Sequence, residues 1–86
     1  MTSDPRAFLA LDLGAATSSV ALIGRLAHRW RLVGSLSMPA TSSADALVAE
    51  LIRRVAAADH ALASSIGLVG DDGRVDPDRV ADELPR

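Results

Sequence analysis

The sequence predicts an α/β fold in which a three-stranded antiparallel meander is followed by a helix. Three observations support this prediction: an apolar run over residues 7–13, two runs with strand-like spacing over residues 18–27 and 30–38, and a helical stripe from Ala44 to about Ala63. The chain has 86 residues, of which 49% are hydrophobic and 23% charged, so it has the composition of a folded segment with one small core.

The three predicted strands differ in pattern. Residues 7–13 are apolar at almost every position, which predicts a strand covered on both faces. In the second run, Val20, Leu22 and Leu26 share a face. The third run places four large side chains on one face: Trp30, Leu32, Leu36 and Met38. The link Ala27-His28-Arg29 predicts a hairpin connection, and Pro39 ends the third strand because it has no N–H for the ladder.

The helix from Ala44 to about Ala63 is predicted by an apolar stripe at helical spacing. Ser42 and Asp45 resemble a capping box and mark the start of this helix. Glu50 and Arg54 are four residues apart, a spacing at which opposite charges stabilise a helix. The stripe consists of Leu47, Val48, Leu51, Ile52, Val55 and Leu62.

Beyond Ser64 the pattern weakens. Residues 66–69 are consistent with a short buried strand and residues 70–73 with a turn. Residues 71–86 hold six acidic and three basic residues, and they leave open a short helix starting near Pro77 or a solvated, disordered tail. We therefore divide the chain into a folded piece, 1–70, and an acidic tail, 71–86.

Composition excludes several classes of function. The net charge is −2, which gives no electrostatic case for nucleic acid, and there is no cysteine for disulfides or thiolate sites. All nine basic residues are arginine, so a Walker-type phosphate loop with its lysine is excluded. His28 and His60 have no second ligand at metal spacing. No secretory pattern or membrane-length apolar run is present, so we expect a cytoplasmic protein without a membrane partner.

The segment with the most specific chemistry is the corner between the first two predicted strands. An apolar run ends at Asp12, Gly14 follows two residues later, and the small residues Ala15, Ala16, Thr17 and Ser18 precede the next run. A carboxylate beside a turn with accessible backbone amides suits a metal-bound phosphate, because the amides can face the anion while the carboxylate holds the cation. Two alternatives stay open. Asp12 could simply end the strand and cap the turn, and the hydroxyl groups could form hydrogen bonds with nearby backbone groups.

This order of elements, with Asp-x-Gly at the end of the first strand, resembles the N-terminal segment of the actin, sugar-kinase and heat-shock-chaperone ATPase superfamily, a ribonuclease H-like fold. Within the superfamily, residues 9–22 together with Arg31-Leu32-Val33-Gly34 are most similar to the glutamate mutase L proteins. The resemblance spans residues 8–63. Members of that family accompany adenosylcobalamin-dependent mutases as ATP-dependent partners.

The resemblance implies that ATP and Mg²⁺ are the ligands of this corner. Asp12 would hold the metal through water, Gly14 would permit the sharp turn, and the amides of Ala15, Ala16 and Thr17 would face the terminal phosphates. Thr17 and Ser18 would add hydroxyl contacts. Many members have Ser or Thr directly after the glycine, where this chain has Ala15 and Ala16.

The second phosphate motif and the adenosine motif of the superfamily have no counterpart after Ser64. The expected function is therefore that of an ATP phosphate-binding segment which does not hydrolyse ATP alone and works with the rest of an ATPase domain or with a cobalamin-dependent mutase. Two alternatives stay open: a non-catalytic protein-interaction module, and a vestigial fragment.

Overall fold

The computed structural model describes residues 6–40 and 43–86. Within them, strands β1 (Ala7–Leu13), β2 (Thr17–Leu26) and β3 (Arg29–Pro39) are followed by helices α1 (Ala44–Ala58), α2 (His60–Ser65) and α3 (Pro77–Glu83). The strands form one antiparallel sheet in the order β1-β2-β3. The predicted α/β class, a meander followed by a helix, is confirmed.

The sheet is covered on one face only. Along β1, Ala7 and Leu9 are buried while Ala10 and Asp12 are exposed. The expectation that residues 7–13 are covered on both faces is therefore wrong. Helix α1 packs against β2 and β3 on the inner face, and no helix of the described residues covers the outer face, so β1 alternates like a half-buried strand.

A β-bulge at Val33 divides β3 into two halves. Leu22 lies opposite Gly34 but Ile23 lies opposite Leu32, so Val33 is an extra residue without its own partner. Residues directly opposite one another share a face, and the extra residue reverses the alternation. Trp30 and Leu32 therefore lie on the outer face, whereas Leu36 and Met38 pack on the core. The prediction that these four side chains share one face is wrong.

The β2–β3 connection is a two-residue hairpin loop of Ala27 and His28, which confirms the predicted hairpin. Their φ angles are 50° and 67°, the left-handed values that a type I′ turn requires at both positions. Arg29 already belongs to β3, opposite Leu26. Pro39 is the last residue of β3, as predicted.

Helix α1 begins where the sequence predicts, at Ala44, but its cap is Ser43. The Ser43 hydroxyl accepts from the Ala46 N–H at 3.1 Å. Ser42, the residue assigned to the capping box, lies outside the described residues. Glu50 accepts from Arg54 at 3.0 Å, as their spacing predicts.

The helical segment breaks at Asp59, so the prediction of one helix to about Ala63 is wrong. Asp59 has an extended backbone, with φ −154° and ψ 92°. Its N–H donates to the Val55 carbonyl at the end of α1, and its carboxylate accepts from the Leu62 N–H at 3.0 Å as the N-cap of α2. One residue thus ends α1 through its backbone N–H and starts α2 through its side chain.

The C-terminal part returns to α1 and completes the core. Residues 66–69 form a turn and not the predicted strand, although Ile66 and Leu68 are buried. Of the two alternatives for residues 71–86, the structure contains the short helix: α3 starts at Pro77, with Asp76 as N-cap, and packs against α1. The core side chains come from the sheet, from α1, from the turn after α2 and from α3: Leu9, Val20, Leu22, Leu47, Val48, Leu51, Ile52, Ile66, Leu68, Val80 and Ala81.

In the described part of the chain, every helix is too short or too polar to span a membrane.

We expect Leu22→Ala to destabilise the fold by about 2–5 kcal/mol, because Leu22 is fully buried between the sheet and α1 and its truncation leaves a cavity. The matched control is Leu32→Ala on the exposed outer face, which is expected to change stability by no more than about 0.5 kcal/mol. Urea denaturation followed by circular dichroism measures both. Equal losses would show that the inner face is not the core.

We expect Asp59→Ala to cost about 1 kcal/mol, since α2 loses its cap. Asp59→Asn keeps an acceptor oxygen at the same position and is expected to retain most of that stability. The same denaturation measurement compares them. A stability of Asp59→Ala equal to that of the parent chain would contradict the capping role.

Candidate functional site

The corner between β1 and β2 is a tight turn closed by one backbone hydrogen bond. The Gly14 N–H donates to the Thr17 carbonyl at 3.0 Å, which joins the end of β1 to the start of β2. On its far side, the Ala16 carbonyl accepts from the Ala40 N–H at 3.2 Å, just after β3. The turn is therefore anchored to both neighbouring strands.

Gly14 is required at this corner by space. A Cβ atom added there would lie 2.7 Å from the Thr17 carbonyl oxygen, the same atom that accepts the Gly14 N–H. Any larger residue has to push this carbonyl away and weaken the closing hydrogen bond. The sharp turn that the resemblance implies at Gly14 is present. The two backbone segments approach each other so closely there that a side chain does not fit.

Asp12 lies on the exposed outer face of the sheet, one residue before the end of β1. It stands opposite Ser19 on β2, and the Ser19 hydroxyl lies 2.8 Å from the Ser37 hydroxyl on β3. Within residues 6–40 and 43–86, the Asp12 side chain has no hydrogen-bond or ion-pair partner. Its carboxylate is accordingly available to a cation from outside.

A shallow depression of about 340 Å³ adjoins Asp12 on the outer face. Its lining combines small and apolar residues, among them Ala10 and Ala21, with four polar ones. The polar side chains come from all three strands: Asp12, Ser19, Ser35 and Ser37. The depression thus combines one carboxylate with hydroxyl groups that can both donate and accept.

The turn exposes two backbone donors beside this carboxylate. Ala15 and Ala16 are exposed, and in the described part of the chain their N–H groups have no acceptor. Their methyl side chains occupy little space, so an anion can approach the backbone. Exposed amides of this kind can donate hydrogen bonds to an anion.

The two predicted hydroxyl residues are placed differently. Thr17 is exposed at the first position of β2. Ser18 is 5% exposed and belongs to the inner face, opposite Leu13 and Met38, so the sheet separates its side chain from that of Asp12. Period two in an extended strand brings Ser19 to the Asp12 face in its place.

The residues that the sequence reasoning missed are Ser19, Ser35 and Ser37. Their signal is the register of the meander. Counting outward from the corner pairs Asp12 with Ser19, but counting outward from the hairpin pairs Ser19 with Leu36, and only the bulge at Val33 moves that pairing to Ser37. The register therefore depends on both turns and on the bulge, and the bulge is not evident from the sequence.

Among the side chains of residues 6–40 and 43–86, a Mg²⁺ ion at this corner would have Asp12 as its one carboxylate ligand. No group of three histidine or acidic residues converges among the described residues. One exposed carboxylate fits Mg²⁺ that keeps most of its waters and is bound mainly through a phosphate, the usual arrangement for this ion. The chemistry of the donors therefore fits a magnesium–phosphate ligand.

Comparisons of the chain with protein-family models, with curated proteins and with solved structures find no match.

We expect Gly14→Ala to destabilise the fold by about 1–3 kcal/mol, because the new methyl group forces the Thr17 carbonyl aside. Ala15→Ser, on the same turn but exposed, is expected to stay within about 0.5 kcal/mol of the parent. Thermal unfolding measures the pair. A Gly14→Ala variant as stable as Ala15→Ser would show that the corner does not need the glycine.

Proposed function

We propose that this chain provides the first phosphate-binding corner of an actin-like ATPase domain and binds the phosphates of Mg–ATP there. The observation that supports the proposal is an exposed Asp12 carboxylate followed, three and four residues later, by the exposed amides of Ala15 and Ala16, all three without a hydrogen-bond partner among residues 6–40 and 43–86. The setting agrees with the resemblance: the corner follows the first strand of an antiparallel meander, and a helix comes after the third strand.

Each residue of the corner has a separate role in this proposal. Asp12 orients the hydrated Mg²⁺, and the amides of Ala15 and Ala16 donate to phosphate oxygens. Gly14 holds the turn closed so that these two amides stay exposed. Thr17 can donate its hydroxyl to the same anion, while Ser18 belongs to the inner face. Bound Mg²⁺ supplies charge neutralisation for the phosphates.

We assign binding and not hydrolysis to this chain. Phosphoryl transfer needs a positioned water and donors on both sides of the transferred group, and one corner provides only one side. The opposite wall of the cleft comes, in this proposal, from further ATPase polypeptide or from an adenosylcobalamin-dependent mutase, the partner class that the resemblance to glutamate mutase L proteins suggests. The role implies a cytoplasmic location, where Mg–ATP is available.

The test is a titration of the ¹⁵N-labelled chain with ATP, with and without Mg²⁺, followed by amide NMR shifts. We expect the largest shifts at Ala15, Ala16 and Thr17, an apparent Kd on the order of 1 mM for half a site, and at least severalfold tighter binding with Mg²⁺. Asp12→Asn is expected to abolish the Mg²⁺ dependence while leaving the turn folded, since Asn is nearly isosteric.

The matched control is Asp78→Asn, which removes an exposed carboxylate from α3, away from the corner. It is expected to leave the titration unchanged. Shifts spread evenly over the chain, or the same Mg²⁺ dependence in Asp12→Asn and in the parent, would refute the proposed site.

A further inference from the structure

The two edges of the sheet differ in how they are covered. At the β1 edge, the Leu9 N–H donates to the Pro85 carbonyl at 2.8 Å, so the segment after α3 covers part of that strand. At the β3 edge, no backbone hydrogen bond within residues 6–40 and 43–86 joins the strand to anything except β2. The second edge is therefore open to pairing.

The alternation of the ladder shows which backbone groups face the β3 edge. On β2, the Thr17 carbonyl and the Arg25 N–H both bond toward β1, so the even-numbered residues of β2 face β3. Their partners in the second half of β3 are the even-numbered residues of 34–38. Ser35 and Ser37 lie between these partners and therefore direct their N–H and C=O groups away from β2.

Only one half of this edge carries features that prevent pairing. Proteins protect sheet edges with bulges, prolines and charged side chains. Toward the hairpin, β3 contains two arginines and the bulge at Val33, and the strand ends at Pro39. Residues 34–38, Gly-Ser-Leu-Ser-Met, contain no charge and no proline. We call these five residues the open edge.

An apolar groove of about 210 Å³ lies beside the open edge, between β3 and the helices α1 and α2. Gly34 lies opposite Leu22, on the inner face, and a Cβ added to it would lie 3.1 Å from a Val55 methyl group. Residues directly opposite one another share a face, so a strand added here directs alternate side chains into the groove. We call it the edge groove, and its apolar lining consists of Val33, Leu51, Val55, Ala58 and Leu62.

Two arginines continue the inner face of β3 toward the hairpin. Arg31 lies opposite Gly24 and Arg29 lies opposite Leu26, which places both on the face of the edge groove. Both are exposed, and neither has an ion-pair or hydrogen-bond partner in the described part of the chain. They are therefore available to carboxylates from outside.

The charged residues that line the edge groove itself are already paired. Arg54 donates to Glu50 at 3.0 Å, and the Asp59 carboxylate caps α2. The charge left without a partner along this side of β3 is consequently that of Arg29 and Arg31, and it is positive.

We propose that the open edge binds an extended segment of a partner protein as a fourth strand of the sheet. The segment pairs with the N–H and C=O groups of Ser35 and Ser37, and it places an apolar side chain in the edge groove. An acidic residue of the segment, two or three positions from the apolar one, pairs with Arg31.

The same observations favour this occupant over others. An apolar small molecule would fill the edge groove but would leave the backbone groups of Ser35 and Ser37 unpaired. A second copy that paired β3 with β3 would offer no carboxylate to Arg31, because β3 contains no acidic residue. An extended segment with a carboxylate near an apolar side chain matches the backbone, the groove and the charge.

The open edge is separate from the corner that contains Asp12. Asp12 is on β1 and the open edge is on β3, with β2 between them, which is about 10 Å across the sheet. The strand-addition proposal therefore does not rest on phosphate binding.

The test selects peptides that bind the whole chain from a random twelve-residue phage-display library. We expect the selected sequences to be enriched in apolar residues at alternate positions, with aspartate or glutamate two or three residues from one of them. The best selected peptide is then synthesised and titrated against the chain by calorimetry.

Methylation of single peptide N–H groups tests the pairing directly. In an added strand, alternate residues face β3, so we expect N-methyl groups at alternate positions to weaken binding about tenfold or more. N-methyl groups at the positions between them are expected to change the affinity much less. Equal weakening at neighbouring positions would overturn the proposal.

Two pairs of variants locate the binding on the protein. Ser35→Pro removes an N–H that faces the open edge, where proline is tolerated, and is expected to weaken the peptide about tenfold, whereas Ser35→Ala keeps the N–H and the affinity. Arg31→Glu is expected to weaken it similarly, whereas Arg74→Glu, the same charge change outside the sheet, leaves the affinity unchanged. Circular dichroism confirms that each variant is folded, and Arg31→Glu with the N-methyl series decides if Ser35→Pro is not.

Several further results would overturn the proposal: no selected peptide, selected peptides without carboxylates, or equal effects of a variant and its control. So would a dimer in sedimentation that Arg31→Glu or Ser35→Pro dissociates, because a second copy would then occupy the open edge. Asp12→Asn is expected to leave the peptide affinity unchanged, so this proposal and the phosphate site can fail separately.

Discussion

The structure depends on one packing constraint: a three-stranded sheet has a single helical layer, and that layer seals only its inner face. Leu22 on β2 and Ile52 on α1 are fully buried in this contact. Within the described residues no helix covers the outer face, and the Asp12 carboxylate lies on that face. The proposed phosphate-binding corner therefore lies where the core ends.

The bulge at Val33 decides what that exposed face contains. Without the extra residue, strict alternation along β3 would put Trp30 and Leu32 on the same side as Leu36, in the core. With it, they join the outer face beside Phe8, while Val33 itself packs against the core. A fold that needs its few large side chains inside has instead turned its only tryptophan outward. Burial in the core therefore does not account for this placement.

The sequence predicts the strands, the start of α1 and the Asp12–Gly14 corner well, because each depends on local pattern. Apolar runs bounded by Gly14, by the hairpin link and by Pro39 leave little freedom in where the strands lie. The failures are non-local. Whether β1 is buried on one face or on both depends on how many helices pack against the sheet. The bulge depends on pairing between β2 and β3, and the break at Asp59 depends on a competition between continuing α1 and capping α2. In the site, Asp12 and Gly14 could be predicted from local pattern, but the face that Ser18 and Ser19 occupy follows only from the register.

The Asp12 corner and the hairpin loop lie at opposite ends of the same strand, β2, and this placement has an energetic consequence for any ligands bound at the two ends. Allosteric coupling between sites requires an element with two arrangements that both ligands bias. Between Ser19 and Arg25, the described structure offers a continuous strand paired on both sides, with Val20 and Leu22 fully packed against α1. A paired, packed strand has no second arrangement of comparable energy, because a register shift by one residue would expose its inner face. Binding energies at the two ends should therefore add, as they do for distant sites without shared contacts.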